Sequence, residues 1–131
     1  MLKRSLLVGL TLPLLVWGSG GDVAKLDRYK KLCSKGNPFG CIGVGWFAVT
    51  GRAMTKNYKM AAVMFLLSCR AGNAEGCASL GDLYFQGKGV RRNLERAVAL
   101  LEYGCKNGYT PACKIWKRAQ KALTSVASNR R

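Results

Sequence analysis

The sequence predicts an all-α fold, a stack of helix pairs, and two observations carry that reading. The cysteines fall in pairs, Cys33/Cys41, Cys69/Cys77 and Cys105/Cys113, each eight positions apart and each displaced from the last by 36 residues. The same step relates Gly36, Gly72 and Gly108, Asn37 and Asn73, Gly45 and Gly81, Gly51 and Gly87, Asn57 and Asn93, and Ala61 and Ala97. A self-similar step in the mid-thirties marks helix pairs, each too thin to bury its apolar face without a neighbour.

The ends of each helix can be read in turn. The first is predicted over 22–35 and stops at Gly36, three residues after Cys33, where a left-handed cap is cheap only for glycine; Gly72 and Gly108 repeat the device. The second, over 38–49, has Asn37 as cap and Pro38 at the first position, where a missing N–H costs little. The third is predicted over 57–71 and the fourth over 74–86, behind Asn73. The fifth, over 93–107, starts at Asn93 and carries Leu94, Ala97, Val98, Leu101 and Cys105 at helical spacing, with Glu95 set against the positive end of the dipole. The sixth, over 110–125, departs slightly: Tyr109 stands in the asparagine's place, and Thr110-Pro111 would supply the cap and first position one residue later. Residues 50–56 and 87–92 read as the longer loops, and 128–131 as a basic tail.

The first twenty residues are of another kind. Lys3 and Arg4 precede an apolar run from Leu6 to Trp17, broken by Pro13 and followed by Gly18-Ser19-Gly20-Gly21. A run of about a dozen is too short for a membrane span, which needs roughly 20 residues, and the pattern predicts a signal peptide over 1–20. The expectation is a secreted or periplasmic domain over 21–127 with no membrane span after cleavage. In an oxidising compartment an even cysteine count favours three disulfides. The chain carries 22 basic and 6 acidic residues, a formal charge of +16; without Lys3 and Arg4 it is +14. Outside the cytoplasm that charge points away from nucleic acid and toward acidic proteins, cell-envelope polymers or membrane surfaces.

The residue types exclude much catalytic chemistry. The absence of histidine removes Ser-His-Asp and Cys-His nucleophiles and histidine-bound metals. No serine, Ser34, Ser68, Ser79 and Ser125 included, has lysine three residues on, and Lys-Thr-Gly is absent. The C-x7-C spacing is too wide for structural zinc, so neither a metal nor a cofactor is expected and no catalytic residue is nominated. Glu75 and Asp82, seven apart on one helix with about 10 Å of rise between them, approach the separation of paired glycosidase carboxylates, but read more simply as solvated acids. Gly40 to Gly45 is glycine-rich, yet falls inside a predicted helix and lacks the Gly-Lys-Ser/Thr ending of a phosphate loop; small-residue helix packing explains it better.

The second unit, Ala78-x-Leu80-Gly81-x-x-Tyr84-x-x-Gly87-x-Gly89-Val90-x-x-Asn93-x-x-Arg96-Ala97, closely resembles the Sel-one-like repeat, a relative of the tetratricopeptide repeat, with Asn93 for the usual aspartate and Arg96 for the usual lysine. Val44-Gly45, Gly51, Asn57 and Ala61 match in the first unit, while Ala48 replaces the tyrosine and Met60 the basic residue. Ala53-Met54 replaces Gly89-Val90, which predicts a loop of another shape. Repeat units are thus expected over 38–73 and 74–109, flanked by helices over 22–35 and 110–125.

With a cysteine pair in each unit and a leader, the chain resembles the Helicobacter cysteine-rich protein family of secreted Sel-one-like proteins. That resemblance implies a right-handed α/α solenoid with one disulfide per unit, Cys33–Cys41, Cys69–Cys77 and Cys105–Cys113. Six cysteines allow 15 pairings, and the repeat prefers nearest neighbours, whose α-carbons can approach within the roughly 4.4–6.8 Å that a bridge needs. The family implies either host interaction or penicillin-binding and weak beta-lactamase activity.

In such stacks the first helix of each pair lines the concave face. With Cys77, Leu80, Gly81 and Tyr84 taken as the core stripe, Asp82 and Phe85 fall outside it; their equivalents are Trp46 and Val49 one step earlier, Arg118 and Lys121 one step later. This predicts a groove running from aromatic to acidic to basic, in which Trp46 or Phe85 either anchors a peptide or acyl group or packs against the neighbouring helix. The function expected is a secreted or periplasmic interaction module for a peptide, an acidic protein or a cell-envelope component. The alternative is a penicillin-binding protein or weak beta-lactamase acting on peptidoglycan or a beta-lactam-like ligand, and a third is an inhibitory partner that caps another secreted protein.

Overall fold

The computed structural model describes residues 20–130, so the predicted leader, apart from Gly20, lies outside them, as does Arg131. Among the described residues the regular structure is all helical: α1 over 20–34, α2 Pro38–Thr50, α3 Tyr58–Arg70, α4 Ala74–Gln86, α5 Leu94–Lys106 and α6 Pro111–Asn129. No helix among them is long and apolar enough to cross a membrane. The ends of α6 differ most from expectation. It runs on to Asn129, so Ser128 and Asn129 are helical rather than tail.

The caps explain why the chain folds locally as it does. Asn37, Asn57, Asn73 and Asn93 accept backbone N–H groups of Phe39, Met60, Gly76 and Arg96 at 2.9–3.0 Å, satisfying donors that the first helical turn leaves orphaned. Thr110 does not act this way. Its backbone is already right-handed helical (φ −58°, ψ −31°) and its hydroxyl makes no capping bond, because a side-chain cap needs the extended backbone that the four asparagines have. At the other ends, Gly36, Gly72 and Gly108 take φ of +84°, +86° and +102°. The next residues then donate back across the turn, Asn37 to Leu32, Asn73 to Ser68 and Tyr109 to Gly104, at 2.9–3.1 Å.

Each such turn is bridged. Cys33–Cys41, Cys69–Cys77 and Cys105–Cys113 join nearest neighbours across α-carbon separations of 4.6, 4.4 and 4.8 Å. So close an approach leaves room only for small side chains beside the bridge: a Cβ on Gly76 would lie 2.7 Å from the Ser68 Cβ. Small residues do the same work in α2, where the Tyr29 and Phe65 rings cover Gly43 and Gly45. The glycine-rich stretch is helix packing.

Two buried clusters follow from the stacking. One, from α2 to α4, centres on Ala48, Ala61, Phe65, Leu80 and Leu83; the other, from α4 to α6, on Ala78, Ala97, Leu101, Ala112 and Ala119. Helix α4 belongs to both and fixes the two halves relative to each other.

The loop expected to differ keeps its shape. Residues 51–57 and 87–93 trace the same succession of turn and bends, and Ala53 adopts φ +58° where Gly89 has +72°. The reason lies at the loop ends, which close through backbone bonds: Gly51 to Phe47 and Gly87 to Leu83, Asn57 to Ala48 and Asn93 to Tyr84. None of these depends on the side chain at 53, so alanine is carried into the left-handed region.

Candidate functional site

The first helices of the pairs, α2, α4 and α6, enclose a cleft of about 220 Å³. Trp46 and Val49 come from α2, Ser79 and Asp82 from α4, and Ile115 from α6; Phe65 forms part of the floor and Tyr109 closes one side from the turn before α6. A second depression of about 250 Å³ lies one repeat earlier, with Asp22, Tyr29, Gly43 and Arg52 standing where Tyr58, Phe65, Ser79 and Lys88 stand in the first. Trp46 lines both. The two depressions therefore adjoin at Trp46.

Trp46 is held at its edge and open on its surface. Its ring meets Phe65 edge-on at 5.6 Å, its indole N–H donates to a Glu75 carboxylate oxygen at 3.1 Å, and 41% of it is exposed. It packs against the neighbouring helices, one of the two expectations for this residue, and leaves part of its ring exposed. Tyr109 sits half-buried in the same place, and its phenol is pushed above its usual range by burial first, then by the Glu75 and Asp82 carboxylates. Burial disfavours the charged phenolate, and the two carboxylates add to this by repelling it.

The acidic residues divide by partner. Asp22, Asp27 and Glu102 hold Arg52, Lys31 and Lys106 at 2.9, 3.2 and 2.6 Å, and Glu75 accepts from Trp46. Among the described residues no side chain pairs with Glu95, at the start of α5, or with Asp82, which lines the cleft.

Of the six residues expected to bind, Trp46, Val49 and Asp82 come together in the cleft. Phe85 packs against the α4–α6 core with the Arg118 guanidinium 5.8 Å from its ring centre. Lys121 lies on a separate shallow depression of α6 beside Trp116 and Lys117. The basic end of the expected groove is thus turned aside, because arginine finds a better site on an aromatic face, its stem covering apolar surface, than beside open solvent. Tyr109, Phe65 and the role of Glu75 were not expected. Tyr109 had a signal, since it breaks an otherwise regular asparagine position.

No nucleophile is paired with a base here. Ser79, 8% exposed in the cleft wall, lies two residues from the bridged Cys77 and three from Asp82 in sequence, with no lysine three residues on. Among the described residues no group of three or more cysteines and carboxylates could hold a metal, and all six cysteines are bridged.

A profile of the Sel1 repeat matches residues 38–73 and 74–109, more than half of the chain. The chain belongs to the Sel1 repeat family. Among solved structures it is similar to Helicobacter pylori cysteine rich protein B (hcpB), at 31% identity over 69% of this chain and 68% of that one, with a TM-score of 0.64. It is also similar in fold to a Sel1 repeat protein from Oxalobacter formigenes, at 20% identity over 75% of this chain and 44% of that one, with a TM-score of 0.63. No match is found among curated proteins. As in a Sel1 solenoid, the repeated glycines, asparagines and cysteines build the scaffold, and the cleft is formed by Trp46, Asp82 and Tyr109, residues that the repeat step does not conserve between units.

Proposed function

We propose that this Sel1 repeat protein is a secreted or periplasmic interaction module that holds an extended segment of a peptide, protein or cell-envelope component in its concave groove. The observation that carries the reading is the cleft itself. A rigid, partly exposed tryptophan stands between two adjoining depressions, which is how an anchoring side chain and its neighbours are received. Three disulfides and the apolar leader-like run support an oxidising compartment. Binding is favoured over turnover because the cleft has hydroxyls and carboxylates but no base positioned on a nucleophile.

A photoreactive benzoylphenylalanine at Val49, inside the cleft, should capture a discrete partner from the producing cell's envelope or surroundings. The same probe at Val63, which is exposed on α3 away from the cleft, should not. Equal capture at both positions removes the groove reading. Hydrolysis of a chromogenic cephalosporin by the purified oxidised protein, lost on a single substitution, would replace binding with beta-lactamase action.

A further inference from the structure

We infer that the cleft between Trp46 and Asp82 is a pocket for one cationic side chain, a lysine or arginine of the segment laid along the groove. This rests on the peptide-binding reading above and adds which residue the central pocket takes.

The charge pattern is the first support. The exterior is strongly basic, yet Asp82 lines the cleft without a partner among the described residues, and Glu75 lies close by on the Trp46 indole. The Asp82 carboxylate is thus open to accept charge-assisted hydrogen bonds from an incoming cation. The Tyr109 phenol, raised first by burial, is raised further by the same two carboxylates. The neighbouring depression differs: its Asp22 is already held by Arg52 through contacts of 2.9–3.2 Å, so its carboxylate is committed.

The walls are the second support. Cations are attracted to aromatic faces within about 6 Å, and the Tyr58 ring at the cleft edge already carries the ammonium groups of Lys56 at 5.7 Å and Lys88 at 5.3 Å. Trp46, Phe65 and Tyr109 extend that wall inward. The volume fits as well: about 220 Å³ falls below the ~300–1,000 Å³ of pockets for drug-sized ligands, which suits one long side chain. Lys88, at the rim, is the protein's own competitor for the site. An acidic segment, which the outer surface attracts, is repelled inside the cleft.

The test follows the Trp46 indole N–H resonance, assigned with Trp46→Phe, in isotope-labelled oxidised protein titrated with alanine-rich hexapeptides carrying one central Arg, Lys, Leu or Glu. A local readout is needed because the basic exterior holds acidic peptides elsewhere. Arg and Lys peptides should shift the resonance and saturate it, with Leu and Glu peptides about tenfold weaker or more. Asp82→Asn should erase that preference, Asp82→Glu should retain most of it, and Lys88→Ala should tighten Arg and Lys binding. Equal response to Leu or Glu peptides, or an Asp82→Asn variant that still prefers cations, overturns the cation pocket while leaving the groove. If no peptide moves Trp46, both the pocket and the groove reading fall.

Discussion

Replacing Ala53 with glycine should stabilise the protein, because the loop over 51–57 holds this alanine at φ +58°. A residue with a Cβ in the left-handed region costs about 1–2 kcal/mol, whereas glycine there gives back about 0.4–1 kcal/mol through the freer unfolded chain. Ala53 is exposed, so its methyl group gives up no packing, and the balance is about 0.5–1 kcal/mol in favour of Ala53→Gly. The counterpart change, Gly89→Ala, imposes the same backbone cost and drives its Cβ into the Tyr58 carbonyl, so a loss above about 2 kcal/mol is expected. Urea unfolding by circular dichroism with the bridges intact gives both numbers, with the dependence on urea unchanged; the melting temperature of Ala53→Gly should rise by about 2–5 °C. A lowered midpoint for Ala53→Gly, or a tolerated Gly89→Ala, would mean that the two loops do not share a backbone.

Other expectations concern the bridges, the core and the cleft. Ser68 is fully buried with its hydroxyl unpartnered, so Ser68→Ala should raise the unfolding free energy by about 1 kcal/mol, whereas Gly76→Ala, which presses on Ser68 and the bridge, should lower it. Removing the central bridge as Cys69→Ala with Cys77→Ala should cost about 2.5 kcal/mol, the chain-entropy value for a closed loop of about nine residues, and mass spectrometry of the native protein should recover each cysteine linked to its partner eight residues on. Tyr109 predicts the alkaline behaviour. Its folded pKa lies above the ordinary phenol value near 10, so its contribution is fully present below that pH and is lost as pH rises from there through the folded value, where only the unfolded chain gives up the proton. The ultraviolet titration difference between the protein and Tyr109→Phe should show this phenol ionising later than free tyrosine, and Asp82→Asn should bring it earlier; ionisation at or below the free value would contradict its burial beside the two carboxylates.

The scaffold was legible because its causes are local. An asparagine cap, a glycine three residues past a cysteine and a small residue beside each bridge act within one turn of chain, so a step of 36 exposes them. Two local expectations failed for tertiary reasons. Thr110 follows Gly108 and Tyr109 with one residue more than the other turns have, and enters α6 already helical, so its hydroxyl cannot cap. Ala53 follows a loop whose ends are tied by backbone bonds, so glycine was not required for the shape. Of the positions proposed for binding, counting along one helix face places Trp46, Val49 and Asp82 in the cleft, while Phe85, Arg118 and Lys121 share that register without reaching it. Their side chains meet competing neighbours that the repeat step does not encode, the α4–α6 core for Phe85 and the Phe85 ring for Arg118.

The bridges and the cleft are also less separate than their chemistry suggests. Glu75 lies within the loop closed by Cys69–Cys77, and Tyr109 within the loop closed by Cys105–Cys113. Glu75 fixes the Trp46 indole, and Tyr109 shares the potential of Glu75 and Asp82. Two of the groups that shape the cleft therefore sit on covalently closed turns and have little freedom to lose when a ligand arrives, which favours affinity through preorganisation rather than added contact. The bridged cysteines thus place the residues of the proposed recognition site.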